Sequence, residues 1–290
     1  MKIILDTDIG SDIDDSFALT YLLNKEDVDL ECVVTCSGES YKRVSLVEEY
    51  IKLSHQKIKV LCGQDKPLYG HELQSTCQQA KVLSTFNDDY NVDETYQEVI
   101  KIVNEHPNEV TLIAIGPLTN LAILFTIDKT ITSKLKQVIM MGSRLDQSQE
   151  KDYLVDWNIM CDPLAAKIVF ESDVKKLVIF PCDTTYKLHH SKEYLRQNVK
   201  GKYEKLIKAM ADVWFERFDG FSYHDPLCAV YAMDESIFKY KRGQMKLDFF
   251  KKVDHSYTEF IENEKGNHLV VTDFDEDKFI DELYKTINKT

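Results

Sequence analysis

The feature that most constrains this chain is a series of short, almost continuously apolar runs spaced by helix-length segments. Six of them, "KIILD" (2–6), "LECVVT" (30–35), "IKVLC" (58–62), "VTLIAI" (110–115), "QVIMM" (137–141) and "KLVIFP" (176–181), are rich in β-branched residues. Strands buried on both faces of a parallel sheet read this way, because neither face needs polar residues. Helical patterns lie between them at 15–24, 40–55, 93–106, 117–127 and 162–172. In the first, Ala18, Leu19, Leu22 and Leu23 fall on one helical face. The βαβα order predicts an α/β fold: an open, mostly parallel, doubly wound (Rossmann-like) sheet with helices on both faces.

The regularity fades after about residue 185. A long helical stretch (roughly 191–217) is expected to run into "WFERFDGFSYHDPLCAVYAMD", followed by a β-rich tail with a turn signal at "NEKGN". An amphipathic helix near 275–288 ends the chain. No linker rich in Gly, Pro or Ser and no repeat interrupts the sequence. The 290 residues are therefore read as one domain, with a core of about 1–232 and a C-terminal elaboration, 233–290.

Charge excludes some partners. A formal net charge of −13 argues against nucleic-acid polymers and anionic membranes, but is compatible with a site built on a cation. No segment approaches the roughly 20 apolar residues of a membrane helix, and "MKIILDTD" lacks the apolar core of a signal peptide. Seven cysteines, without CxxC or metal-site spacing, read as reduced thiols of a cytoplasmic protein. Cys36 and Cys161 are taken as small buried hydrophobes.

The first strand leads into "DTDIGSDIDD", where five of ten residues are aspartates and none is Lys or Arg. Ligands of open α/β sheets bind beyond the C-terminal strand ends, where this loop falls. Asp6 and Asp8 point to one side while the chain stays extended, Gly10 permits a sharp turn, and Asp14 and Asp15 start a helix. N-capping explains one or two acidic residues there, but not five. A hard divalent cation with six or more oxygen ligands does. An EF-hand is excluded, because no register supplies both its glycine and its closing glutamate. A phosphatase that uses Asp-x-Asp with the first Asp as nucleophile would want a later lysine and acidic motif, and a histidine-rich metal phosphoesterase more His beside Asp.

"DTDIGSDIDDSFAL" resembles the N-terminal signature of the nucleoside hydrolases, the inosine-uridine-preferring N-ribohydrolases, with two extra residues before the final Asp pair. "AIGPLTNLA" (114–122), "VIMMGS" (138–143), "DWNIMCDPLAAKIVF" (156–170), "FPCDTTYK" (180–187) and "YHDPLCAVY" (223–231) resemble later family segments, in order. The resemblance implies a Ca2+ ion held by Asp8, Asp15, Asp225 and the carbonyl of Ile115. It makes Asp8 the general base for the metal-bound water. Asp14 and Asn158 would hold the ribose hydroxyls, with Asp225 also touching the diol. Met141 would contact the sugar and His224 would stand near the leaving base. The family's members are commonly dimers or tetramers, which implies a homodimer or homotetramer. The chemistry agrees with these residue types: calcium acidifies water weakly, so a carboxylate must take the proton, and a departing base needs a hydrogen-bond donor. The other seven His, including His189–His190, are assigned a solvated surface and no role.

Three departures cluster where the 5′-hydroxyl should sit. Asp156 replaces the family's Glu in the substrate-binding block, Glu150 falls near its Asn, and Glu39 replaces the Asn after the second strand. A His-Gly segment after the third strand is missing from "LYGHELQSTCQQAKVL". Two alternatives therefore accompany nucleoside hydrolysis: a hydrolase of another ribosyl compound with an altered 5′ end, and a non-catalytic nucleoside- or ribose-binding protein that keeps the metal site.

Overall fold

The structure is a computed structural model and describes residues 1–145, 156–249 and 257–290. Glu150 lies outside the described residues. The six apolar runs form strands β1 (Lys2–Thr7), β2 (Asp29–Thr35), β3 (Lys59–Cys62), β4 (Val110–Ala114), β5 (Gln137–Met141) and β6 (Leu177–Phe180). The tail adds β7 (His189–Ser191), β8 (Gly220–Ser222), β9 (Phe238–Leu247), β10 (Thr258–Glu262) and β11 (His268–Phe274).

Among the described residues, the main sheet runs β10-β9-β11-β6-β5-β4-β1-β2-β3, while β7 and β8 pair as a separate ribbon. From β11 to β3 every neighbouring pair is parallel; only β9 runs against its neighbours. Successive residues feed opposite cores: Ile3 and Leu5 pack on one side, Ile4 on the other. This period of two, with both faces covered, is why the strand sequences are uniformly apolar. The chain winds to β2 and β3 on one side of β1, then crosses to β4, β5 and β6 on the other. The resulting crevice at the C-terminal ends of β1 and β4 is where such a sheet binds ligands.

The helices Asp14–Asn24, Ser40–Ser54, Val92–Glu105, Thr119–Ile127 and Pro163–Phe170 match the expected segments to within a few residues. One tail reading needs correction. The stretch read as one helix is two, Lys192–Asn198 and Glu204–Trp214. Between them Gly201 takes a φ of +82°, and a Cβ there would lie 2.9 Å from the carbonyls of Asn288 and Lys289. The C-terminal elaboration continues the sheet of the core, with β11 pairing in parallel with β6.

His268 also departs from the expected surface position, for it is fully buried on β11. Its Nδ1 accepts the Met245 N–H at 2.9 Å, which requires a neutral ring. Burial pulls its pKa from 6.5 down to about 4. A folded-state pKa below the unfolded one contributes stability that is complete above pH 6.5 and is lost as pH falls toward 4. The expected loss by pH 4.5 is about 2–3 kcal/mol. Urea denaturation at pH 7.5 and 4.5 checks this by comparing wild type with His268→Asn. An equal pH response of the two proteins would refute it.

Candidate active site

β1 ends at Thr7, and the chain turns at Gly10, whose φ is +110°. A Cβ at Gly10 would lie 2.3 Å from Cys77 Sγ and 2.7 Å from Leu46 Cδ1, so the turn requires glycine for space as well as for backbone angle. Asp14 and Asp15 then open the helix Asp14–Asn24, both almost fully buried. The helix His224–Met233 brings Asp225 to them, and its backbone N–H donates to Asp14 Oδ2 at 3.1 Å. Two helix N-termini thus converge on the same carboxylates, where their dipoles favour negative charge. One oxygen from each of Asp14, Asp15 and Asp225 lies within 4.8 Å of the other two.

Burial, and then the neighbouring carboxylates, push the pKa values of Asp14, Asp15 and Asp225 well above the ordinary carboxylate range. Three buried like charges this close cannot all ionise at neutral pH without compensation. The donor set is all oxygen and anionic, which fits a hard divalent cation. Thr7 Oγ1 orients the cluster by donating to Asp15 Oδ1.

Asp8 stands beside the trio and outside its tightest grouping. Its Oδ2 accepts the Gln74 side-chain N–H at 2.6 Å. Burial raises its pKa, opposed by the Arg43 guanidinium and then by the Gln74 hydrogen bond. Ile115 and Gly116 leave β4 close beneath it: a Cβ on Gly116 would lie 2.9 Å from Asp8 Oδ1 and 2.7 Å from Cys36 Sγ. That close approach explains the glycine of "GPLTN".

Asn158 bridges two strand ends, its amide donating to the Ile115 carbonyl at 2.9 Å and to the Met141 carbonyl at 3.3 Å. The Ile115 carbonyl expected on the ion therefore faces Asn158 in this structure, with a second lone pair still available. Asp156 caps the short helix Trp157–Cys161; its Oδ1 accepts the Ile159 N–H at 3.2 Å and its Oδ2 the Ser143 N–H. Burial raises its pKa to about 7. Glu39 is likewise engaged, with the Cys77 N–H at 2.9 Å and with Lys42 at 2.5 Å.

His224 Nδ1 lies 2.6 Å from Thr185 Oγ1, and its ring meets Tyr186 edge-on at 4.6 Å. Burial, and then His189, lower its pKa to about 4, so the ring is neutral at pH 7. Phe221 and Tyr223 just before it are buried, and Phe221 stacks on Phe17 at 5.5 Å, which makes them core residues. The His189–His190 pair sits on β7, with His190 Nδ1 2.8 Å from the Tyr223 hydroxyl.

The two leftover aspartates are secured separately. Asp6 Oδ2 accepts the Asn120 amide at 2.8 Å, and Asn120 also receives the Tyr96 hydroxyl at 3.0 Å. Asp12 turns back onto the Ile13 N–H.

Sequence reasoning missed Arg43, Gln74, Thr185 and Asn120 as parts of this constellation. Asn120 and Thr185 lie inside "GPLTN" and "CDTTYK", so the motifs contained their signal. Arg43 and Gln74 had none, since a lone Arg on a helix and a Gln in a loop are ordinary surface residues.

The fold and the site together define an α/β protein that collects buried carboxylates at its switch point, suited to hold a cation and a small polar ligand. A model of the inosine-uridine preferring nucleoside hydrolase family matches residues 3–281, and the chain belongs to that family. It is accordingly an enzyme, a nucleoside hydrolase that cleaves ribonucleoside N-glycosidic bonds. Uridine nucleosidase 1 of Arabidopsis thaliana is 33% identical over 154 residues, 50% of this chain and 46% of that protein. Probable uridine nucleosidase 1 of Oryza sativa subsp. japonica is 26% identical over 264 residues, 85% of this chain and 81% of that one. Among solved structures, a plant nucleoside hydrolase, the PpNRh1 enzyme, superposes with a TM-score of 0.84 over 99% of this chain and 98% of its own, at 24% identity. No helix among the described residues is long and apolar enough to cross a membrane.

Proposed function

We propose that the protein hydrolyses the N-glycosidic bond of a ribonucleoside in a calcium-dependent reaction, releasing ribose and free base. The observation that carries this reading is the buried trio of Asp14, Asp15 and Asp225 at the switch point, beside Asp8 and Asn158. Asp15, Asp225, Asp8 and the Ile115 carbonyl would hold the ion, which when bound supplies positive charge to orient water and the ribose diol.

The remaining work falls to this chain's residues. Asp14, Asn158 and Asp225 hold the sugar hydroxyls, and Met141 lines the sugar face. Asp8 takes a proton from water as its oxygen bonds to the anomeric carbon. The carbon–nitrogen bond breaks through an oxocarbenium-like sugar, by analogy with O-glycoside hydrolysis, and its electron pair leaves with the base. The base takes a proton from solvent, while Asp8 returns its own to solvent. His224, neutral and held by Thr185, donates a hydrogen bond to that departing base. The same reading places the enzyme in the cytoplasm as a homodimer or homotetramer.

A second reading, a ribosyl substrate altered at its 5′ end, is favoured by one observation. Both oxygens of Asp156 are already engaged by backbone N–H groups, so the far end of the ribose meets no uncommitted carboxylate there. One assay addresses both readings: uridine, inosine and 5′-deoxyuridine offered to the chelator-treated protein, before and after calcium chloride is added. Uridine or inosine cleavage that is lost on chelation and restored by calcium is expected. Faster cleavage of 5′-deoxyuridine than of uridine would favour the second reading. Tight calcium binding with no nucleoside cleaved would sink ordinary nucleoside hydrolysis.

A further inference from the structure

Gln74 and Trp157 have no role in the chemistry above, yet they are wired directly to its base. Gln74 is buried in the loop between β3 and the short helix Gln78–Val82. Its Nε2 donates to Asp8 Oδ2 at 2.6 Å, while its Oε1 accepts the indole N–H of Trp157. We propose that Gln74 is the positioning residue for Asp8, and that Trp157 locks the direction in which its amide faces. The proposal rests on Asp8 acting as the base.

An amide presents an acceptor on one side and a donor on the other, and could flip. An indole N–H can only donate, so Trp157 fixes the oxygen on its own side. That leaves only the NH2 to meet Asp8, where a donor stabilises the carboxylate and a flipped oxygen would repel it. With Oδ2 held, Oδ1, on the Gly116 side, is left to do the chemistry.

The backbone on either side of Gln74 is pinned. The Leu68 N–H donates to Asp162 Oδ2 at 2.7 Å and the Cys77 N–H to Glu39 Oε2 at 2.9 Å. Gly38 packs so closely that a Cβ would lie 1.9 Å from the Gln74 carbonyl. Trp157 leaves 45% of its surface exposed, yet its N–H is turned inward onto Gln74.

The test is a double-mutant cycle with Trp157→Phe, which keeps an aromatic ring but loses the N–H donor and part of the indole, and Gln74→Ala. Each single variant is expected to lower kcat on uridine about tenfold, with KM within about threefold, the loss of one oriented hydrogen bond. The double variant should be no worse than Gln74→Ala alone, because both act through one amide. Calcium affinity is read in parallel by calorimetry, and each variant should weaken it several-fold with the same lack of additivity. A raised KM with kcat intact would make Trp157 a pocket wall, and additive losses would separate the two residues; either overturns the proposal. A lowered melting temperature with unchanged kcat and calcium affinity overturns it too. If the wild type cleaves no nucleoside, the functional reading fails by itself, and the calcium cycle still decides the clamp.

Discussion

Asp8→Asn is expected to abolish turnover, lowering kcat on uridine by about 10³-fold or more, within the range that a positioned general base contributes. The substitution keeps the shape and removes the site for the proton. The new amide can still accept the Gln74 NH2 through its oxygen, which leaves an NH2, and no proton acceptor, at the other position. Calcium affinity should fall less than kcat, since Asp15 and Asp225 keep their places on the two facing helices. Steady-state kinetics with calorimetry on the same preparation separates the two losses. A variant that retains a tenth of wild-type kcat would remove Asp8 from the role of base.

The second large effect concerns Arg43. Among the described residues it is the largest fully buried side chain, and it reaches from the helix Ser40–Ser54 into the aspartate loop. Its Nε donates to the carbonyls of Ser37 at 2.8 Å and Gly38 at 3.1 Å. Its Nη1 serves the Ile9 carbonyl and Ser11 Oγ, each at 3.0 Å, and also the Asp8 carbonyl. One guanidinium thus ties the ends of β1 and β2 together and supplies positive charge beside Asp8 and Asp15. Arg43→Met keeps much of the volume, strands these carbonyls without a donor and removes the charge. The expected cost is about 3–5 kcal/mol, as for breaking a buried ionic network from one side. Calcium should recover part of it by binding only the folded state. Urea denaturation with and without calcium measures both effects. A loss below about 1 kcal/mol would show that the loop does not depend on this residue.

Much of the molecule was legible in the sequence because two physical signals are local. A strand buried on both faces has to be apolar along its length, so β1 to β6 announced themselves. A turn that accepts five aspartates has to answer for their repulsion, so a candidate cation site was readable from "DTDIGSDIDD", while "HDPL" joined it only through its resemblance to a family segment. The tail was less legible. Gly201 broke one helical pattern into two, and His268 looked like any surface histidine because nothing adjacent in sequence marks the strand that buries it.

The chain order of apolar runs determined the α/β architecture, and the resemblance of the later motifs to family segments indicated which loops join the aspartates. Tertiary structure alone decided how those acids are held. Asp14 joins Asp15 and Asp225 because two helix N-termini converge there, and Asp156 spends both oxygens on backbone N–H groups. Arg43 and Gln74 reach the aspartates from segments with no acidic signal of their own. The reason is physical: repulsion among like charges is written in the order of residues, whereas compensation depends on distance in space, and only the folded chain sets that distance.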